Sequence, residues 1–397
     1  MREPDGGVPT AIRRQSHLTR GLVALTLVTA SYVSGLCLLL AVAPLWVAGA
    51  HGAVGSGLVT GVLMLTTVVA AALAPAVVRR ISSRRALELG LLLMAVPSPL
   101  FVVSDSLAWV LPLSGARGLG LGLSAVVGSA ALARVAPPGG LARSAGFYSL
   151  SITVPNLIFV PLGMVLVESF GYGVAFAMGS AALVGLLFTP RLGIDQDPNP
   201  VRASGVPAFG PVALVRTDRR LRAATVLVFA AGLCAGWLPT FVGSFAVSAA
   251  VASAGLGVWG VGNALGRWGV GRLARSEGSA RLTAMAIGCT LVGLVLGALV
   301  FAPAGSVPLQ YVSIAAVAAG FGALQTLTLL GALLVADPAR RQVASAAWNV
   351  GLDGGVGLGA IAVGVIAHAL SFRAGSAVAA AVLLLLGLTQ VRRRSDA

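Results

Sequence analysis

The sequence predicts an all-α membrane protein with twelve transmembrane helices in two pseudo-symmetric six-helix halves. Three observations predict this class. The 397-residue chain is 57% hydrophobic and only 10% charged, with a mean hydropathy of +0.95, whereas soluble domains carry roughly 25% charged residues. Its apolar runs have the length of about 20 residues that a helix needs to span the hydrocarbon core of a bilayer. Its arginines fall almost entirely on one predicted side of that bilayer.

The apolar runs are interpreted as helices because lipid offers no partner to a backbone amide or carbonyl, so each segment must satisfy its own. The short alternating segments of a β-barrel do not dominate the sequence. Twelve runs occur, at 21–47, 56–78, 86–103, 107–135, 143–167, 174–192, 223–247, 251–273, 282–301, 307–335, 343–367 and 375–391.

The basic residues set the predicted orientation. All 27 are arginines, and with the N-terminus in the cytoplasm 24 of them lie in cytoplasmic segments, while Arg373 alone lies outside. Following the positive-inside rule, we expect a multi-pass cell-membrane protein with both termini in the cytoplasm. The arginines are spread over seven segments, so we expect them to contact anionic lipid headgroups and expect no nucleic-acid partner. The Arg-only, Ala/Gly/Val-rich composition is typical of a GC-rich bacterial genome.

A polar segment with Pro, Asp and Gly divides the runs six and six. It predicts a cytoplasmic tail at 1–20, a first half at 21–192, a linker at 193–222, a second half at 223–391 and a second tail at 392–397. The halves echo each other at an offset near 200, as in "RVAPPGGLARSAGFYSL" from Arg134 and "LVADPARRQVASAAWNV" from Leu334. Such repeats are typical of secondary transporters, whose binding site lies near the midplane between the halves. We expect a monomer.

Four segments carry a family resemblance. The loop after the second run reads "VVRRISSRR", and the matching loop after the eighth reads "GRLARSEGSAR"; the fourth run contains "LSGARGLGLGLSA" and the fifth "PNLIFVPLG". With these segments the chain resembles transporters of the major facilitator superfamily over almost its full length, and in particular bacterial drug/proton antiporters. The first loop keeps the basic residues of the family pattern and lacks its Asp and both Gly. The resemblance implies gating roles at the cytoplasmic loops for Arg84, Arg85, Gly271 and Gly278, and helix packing for Pro161 and Gly163. From its position near the cytoplasmic end of the eighth run, Arg267 is predicted to belong with the gating residues.

Two ionisable residues fall near the middle of predicted helices, where a charge costs at least about 2.5–3.5 kcal/mol. Asp353 lies about ten residues into the run at 343–367, and Arg117 about ten residues into the run at 107–135. We predict that Asp353 is the proton-coupling carboxylate. A guanidinium stays protonated, so Arg117 is predicted to hold a carboxylate or to orient substrate. The alternatives are that Asp353 only hydrogen-bonds a neighbouring helix, and that Arg117 is a structural cation bonded to helix-end carbonyls.

The segment "NVGLDGGVGLG" around Asp353 has two predicted faces. Gly351, Gly355 and Gly359 are spaced by four residues and share one face, the small-xxx-small pattern that lets helices approach closely. Asn349 and Asp353 share the opposite face. The spacing therefore predicts one side for packing and another for a polar contact.

The other polar residues inside the runs are candidates for the lining of a substrate cavity. They are Asn349, Asn156, Tyr32, Trp237 and Gln325. Each of them is also explained by helix packing. Arg267 lies toward the cytoplasmic end of its run, where its side chain can reach the headgroups.

Taken together, these features favour a proton-driven secondary transporter that exports small amphipathic organic molecules. The alternatives are an importer of a small metabolite on the same fold and, in a different class, a membrane sensor that does not transport. The sequence has no metal-ligand cluster and no Gly-rich phosphate loop, so we expect no cofactor, no direct use of ATP and no enzyme activity.

Overall fold

The structure, a computed structural model, describes residues 10–137, 141–194, 215, 218–273, 279–302, 304–335 and 341–395. Helices make up nearly all of these ranges, and no strand occurs in them. The prediction of an all-α protein is confirmed. Most of the predicted linker at 193–222, the outermost parts of both tails and Gly278 lie outside the described residues.

The helices have these bounds. In the first half they are α1 (Thr10–Leu39), α2 (Val42–Ile81), α3 (Ser83–Ala95), α4 (Pro97–Leu100), α5 (Leu107–Val135), α6 (Leu141–Phe170), α7 (Tyr172–Met178) and α8 (Ala182–Leu186). In the second half they are α9 (Arg219–Ala235), α10 (Leu238–Phe245), α11 (Ala249–Leu273), α12 (Ser279–Val300), α13 (Val307–Val335), α14 (Arg341–Ala369) and α15 (Phe372–Ser395). Short 3-10 helices cover Phe101–Val103, Gly179–Ala181 and Thr189–Leu192.

Within the described residues, nine helices are long and apolar enough to cross a membrane, judged by length and composition. Two shorter apolar helices cover Tyr172–Leu186 and Phe372–Leu386. One of the nine, Arg20–Ile81, has 62 residues, about three times the length that a hydrocarbon core of about 30 Å requires. Gly52 interrupts it with φ 59° and ψ −158°, a conformation open to glycine. The number twelve stays a prediction.

Four predicted runs are divided in the structure. The sixth is divided into α7, α8 and two 3-10 helices, and the other three are divided at a proline. The first run is broken between α1 and α2, the third between α3 and α4, and the seventh between α9 and α10. In each case a proline stands in the first turn after the break: Pro44, Pro97 and Pro239. The amides of a first helical turn have no intrahelical partner, so a proline there loses no hydrogen bond, whereas it cannot continue a preceding helix.

The two halves use matching helix pairs. Within the first half α1 packs on α6, α2 on α5 and α3 on α5; within the second half α9 packs on α14, α11 on α13 and α12 on α13. The halves meet where α2 packs on α14 and where α6 packs on α11. The pairs match α1 with α9, α2 with α11, α3 with α12, α5 with α13 and α6 with α14. Under this matching the α2–α14 contact becomes the α11–α6 contact, so the packing within the halves and the boundary between them follow one pseudo-twofold relation.

Candidate functional site

The boundary between α2 and α14 is built from small residues. A Cβ placed on Gly57 of α2 would lie only 2.5 Å from the carbonyl oxygen of Ala360 in α14, so the two backbones are in contact. The contact extends to Gly52, whose Cβ position lies 3.6 Å from Nδ1 of His368. We call this end of the bundle, where α2 turns at Gly52 and α14 ends, the distal end. The proximal end is the one where α1 begins and α5 ends.

Asp353 lies on the side of α14 that is turned to α2. It stands one turn before Gly357, whose Cβ position is 3.0 Å from the Cβ of Met64 in α2, and residues four apart share a helix face. The side chain of Asp353 is half-buried, and it forms no hydrogen bond or ion pair with any residue that the structure describes. Asn349, one turn nearer the proximal end, is exposed and donates from Nδ2 to the carbonyl oxygen of Ser345 at 3.0 Å.

The glycine seam Gly351, Gly355 and Gly359 lies on another side of α14, against α9. A Cβ on Gly355 would collide with the carbonyl oxygen of Phe229, and one on Gly359 with that of Leu233. Helix α14 is therefore attached to its own half through this seam, while the side that carries Asp353 meets the other half.

Arg117 is enclosed within the first half. Its side chain is 1% exposed, its Nη2 donates to the carbonyl oxygen of Gly35 at 3.0 Å, and its Cζ lies 5.8 Å from the centre of the Phe101 ring. Gly35 is in the last turns of α1, which ends at Leu39, and a cation is favourable at the C-terminal end of a helix. Arg117 forms no ion pair with Asp353, so this conformation does not bring the two predicted coupling residues together.

Arg267 and Gln325 form a polar pair between α11 and α13. Nη2 of Arg267 donates to Oε1 of Gln325, and the Gln325 side chain is buried. From the sequence these residues had separate expected roles, a lipid-directed cation and a cavity residue. They stand 58 positions apart in the chain, and nothing in helical periodicity indicates which residue of another helix lies opposite.

Trp237 and Tyr32 are both packed inside their halves. Trp237 is 0% exposed, its indole Nε1 donates to the carbonyl oxygen of Cys234 at 2.9 Å, and its ring centre is 6.1 Å from that of Phe301. Tyr32 is 2% exposed and lies beside Tyr148 of α6. In this conformation neither ring faces an open cleft, and a substrate would reach either only after a rearrangement.

The second boundary, between α6 and α11, holds Pro161 and Asn156. The Oγ of Ser253 donates to the carbonyl oxygen of Pro161 at 3.0 Å, across the halves. Asn156 is half-buried, and its Nδ2 donates to a carbonyl oxygen of its own helix at 3.0 Å. Gly163 lies on the carbonyl oxygen of Leu38, where a Cβ would collide, so it fixes α6 to α1.

The basic loop after α2 is tied to the end of the first half. The Nε of Arg84 donates to Oε1 of Glu88 at 2.8 Å, and the same oxygen accepts from Oγ1 of Thr189 at 2.7 Å. Arg85 is exposed in the first turn of α3. Gly271 lies in the last turn of α11. Arg84 and Glu88 are four residues apart and share one face of α3. Thr189 is 101 residues from Glu88 in the chain, and only the fold brings it to this carboxylate.

Among the described residues, sequence reasoning missed two hydrogen bonds between the halves, the one from Ser253 to Pro161 and a second one between two threonines. Thr60 of α2 and Thr240 of α10 are both buried, and their Oγ1 atoms are 3.0 Å apart. A threonine in a long apolar run carries no sign of a partner on another helix, because its hydroxyl can also bond to its own backbone. This hydrogen bond lies on the distal side of Asp353.

Comparison with known proteins identifies the family. A family model described as Major Facilitator Superfamily matches residues 23–336. No curated protein matches the chain by sequence. Similar solved structures include the nucleoside transporter NupG (TM-score 0.78, 11% identity, 93% of this chain and 98% of that one). A bacterial homologue of the human lysosomal transporter Spinster has a TM-score of 0.72 at 14% identity, covering 94% and 96%. The human organic anion transporter MFSD10 has a TM-score of 0.66 at 15% identity, covering 94% and 99%.

At such identities the solved structures show the fold alone. The family model, in contrast, matches well over half of the sequence, from α1 to the end of α13. It includes three of the four helices that build the boundaries between the halves, namely α2, α6 and α11. The chain is therefore a multi-pass membrane protein of the major facilitator superfamily.

Proposed function

We propose that the chain is a secondary active transporter that exports small amphipathic organic molecules in exchange for protons, by alternating access between its two halves. The observation that carries this proposal is the position of Asp353. The carboxylate stands at the boundary of the halves, on the α2-facing side of α14, without an ion-pair partner among the described residues. An acidic residue held at this depth is costly, and in membrane proteins such residues mark ion and substrate pathways.

The contacts between the halves suggest which way the cleft opens. The approach of Gly52 to His368 and the hydrogen bond between Thr60 and Thr240 both lie toward the distal end. We infer that this conformation is closed at the distal end and open at the proximal end, which the arginine distribution assigns to the cytoplasm. Asp353 then lies where the cleft begins, facing cytoplasmic water.

The proposed coupling follows from the cost of a bare charge. An ionised Asp353 resists passage along the apolar surface of α2, whereas a protonated or charge-paired carboxyl group does not. We propose that a proton from outside neutralises Asp353 and leaves to the cytoplasm, and that the positive charge of a substrate from the cytoplasm then pairs with the carboxylate in its place. The cleft can close at one end and open at the other only when Asp353 is neutralised. One proton therefore moves inward as the substrate moves outward.

The surroundings of Asp353 favour an amphipathic substrate. One turn away on the same side of α14, the Cβ position of Gly357 lies against Met64, Gly61 and Leu65 of α2, which are apolar. Asn349 is a polar group one turn away in the other direction. By their names, two structurally similar proteins transport nucleosides and organic anions, so the fold carries substrates of differing polarity. An importer of a small metabolite uses the same geometry with the opposite net direction. A sensor that transports nothing is the alternative outside this class.

The proposal is tested with a susceptibility panel of amphipathic antimicrobials and dyes, applied to cells with and without the chain. An exporter lowers the accumulation of at least one compound. Proteoliposomes are then equilibrated with that compound at equal concentration on both sides, and its movement is followed after a pH gradient is imposed. We expect uphill movement against the proton flow, which collapses when a protonophore is added.

The other functions give different results in the same experiment. An importer raises the accumulation of a compound that cells with the chain take up. A sensor changes neither the accumulation of a compound nor the susceptibility of the cells, and no compound moves across the membrane of reconstituted vesicles. Movement that persists unchanged without a pH gradient would refute coupling to protons.

A further inference from the structure

A cavity lies at the proximal end of the first half, away from the boundary between the halves. It has a volume of about 820 Å³ and opens between the beginning of α1, the end of α5 and the 3-10 helix Thr189–Leu192. Pockets that hold small molecules have volumes of about 300–1,000 Å³. Three arginines line it, Arg20, Arg134 and Arg191, and none of its lining residues is acidic. The charged side chains among the lining residues are therefore all basic.

The three arginines lie at the level expected for lipid headgroups. Arg20 is the first residue of the apolar stretch Arg20–Ile81, and Arg134 follows directly after the apolar stretch Leu107–Leu132. Arg191 comes just after the apolar helix that ends at Leu186. The guanidinium of Arg191 lies 5.7 Å from the ring centre of Phe188, and its Nη1 donates to the carbonyl oxygen of Leu187 at 2.6 Å, so its position is fixed.

The wall of the cavity toward the membrane interior is apolar. Val23 and Leu27 of α1 line it, and their side chains are 53% and 40% exposed. They are four residues apart, so they share a face and form a strip that runs from Arg20 into the membrane. Charge at headgroup level above an apolar strip matches the two parts of a phospholipid.

We propose that this cavity binds one anionic phospholipid, with its phosphate among Arg20, Arg134 and Arg191 and an acyl chain along Val23 and Leu27. Basic pockets between transmembrane helices on the cytoplasmic side are suited to such headgroups. Guanidinium groups bind phosphate oxygens in a planar, two-pronged geometry. The lipid would hold the start of α1 against the end of α5. The site does not depend on the transported substrate and stands whether the chain exports, imports or senses.

The test is native mass spectrometry of the purified full-length chain in detergent. The chain is incubated with phosphatidylglycerol or with phosphatidylcholine of the same acyl chains, and the number of lipids retained is counted. We expect one phosphatidylglycerol to be retained in preference to phosphatidylcholine. The variant Arg20→Gln/Arg191→Gln should lose roughly 10- to 30-fold of that preference, since each arginine near the surface contributes to anionic binding. Arg20→Gln alone, which leaves the backbone contact of Arg191 in place, should lose part of it.

The matched control is Arg79→Gln/Arg80→Gln. These exposed arginines end α2, outside the cavity, and their replacement removes the same charge. The control should retain the parental preference. Equal loss in both double variants, equal retention of the two lipids by the parental chain, or displacement of the lipid by millimolar inorganic phosphate would each overturn the proposal. In the first case the arginines act only through net charge, in the second the site is only apolar, and in the third it binds a free anion.

Discussion

At the scale of one residue, Asp353 is the group on which the proposed coupling depends. Replacing Asp353 with Asn preserves the size and hydrogen bonding of the side chain but removes its proton exchange. We expect Asp353→Asn to abolish uphill transport driven by a pH gradient and to retain downhill exchange of substrate. Asp353→Glu should keep partial coupling. The measurement is substrate movement in proteoliposomes with and without an imposed gradient.

Asp105→Asn is the matched control for that experiment, because it makes the same chemical change in the loop before α5. It should transport at the parental rate. If Asp353 only hydrogen-bonds a neighbouring helix, Asn is a good substitute, and gradient-driven transport by Asp353→Asn at the parental rate would show this.

Individual residues also differ in how far the sequence predicts their place in the site. The depth of a residue in the membrane and the side of the helix on which it lies follow from its position along the helix. Asp353, Asn349 and the glycine seam could therefore be assigned to sides of one helix from the sequence alone. The hydrogen-bond partner of a side chain on another helix does not follow from its position in the sequence. Arg117 binds a carbonyl oxygen 82 residues away, because the break after α1 and the packing of α5 place it there. The geometry favours the structural alternative for Arg117, a fixed cation near the end of a helix.

At the scale of the helix, the glycine seam of α14 predicts how alanine substitutions change the stability of the chain. Gly355 and Gly354 are adjacent, but a Cβ on Gly355 would collide with the Phe229 backbone, whereas one on Gly354 would lie 3.8 Å from the Phe229 ring. Gly355→Ala should therefore destabilise the chain by about 1–3 kcal/mol through overpacking. Gly354→Ala should be neutral or stabilising by up to about 1 kcal/mol, since Ala is the better helix former. Thermal unfolding in detergent measures both, and equal midpoints would contradict the seam.

The helices themselves could be predicted because backbone amides and carbonyls in lipid must be hydrogen-bonded within their own segment. Apolar runs such as 107–135 and 307–335 coincide with α5 and α13 residue for residue. The breaks were less visible, since a proline in an apolar run either kinks a helix or starts a new one. Pro112 and Pro155 lie inside continuous helices, whereas Pro97 begins α4. Only the packing around each proline decides between these outcomes.

At the scale of the whole molecule, alternating access requires the distal contact to open. Thr60 and Thr240 have their Oγ1 atoms 3.0 Å apart across the halves, so sulfur atoms at these positions are within reach of a disulfide after small rotations. In a background without Cys37, Cys234 and Cys289, we expect Thr60→Cys/Thr240→Cys to cross-link on oxidation and to stop transport. Reduction should restore it.

The cross-link is detected by cutting a protease site placed in the linker at 193–222, which leaves the halves joined only when the disulfide has formed. Thr60→Cys alone is the control and should keep transporting after oxidation. A cross-linked double variant that still transports at the parental rate would show that the distal end does not open during the cycle.

The hydrogen bond between Thr60 and Thr240 also affects whether the proposed transport can run in both directions. Within the described residues the halves share this bond and the one from Ser253 to Pro161. Side-chain hydrogen bonds inside membranes average about 0.6 kcal/mol, so the two together shift a conformational equilibrium by less than about tenfold. The boundary contacts α2–α14 and α6–α11 correspond to each other under the pseudo-twofold relation, and in the proposed cycle we expect equivalent apolar contacts when the other end closes. Neither conformation is then strongly preferred, and the chain itself imposes no direction. Under the proposed function the gradients of proton and substrate then set the direction of net transport, and we expect that reversing both gradients reverses it.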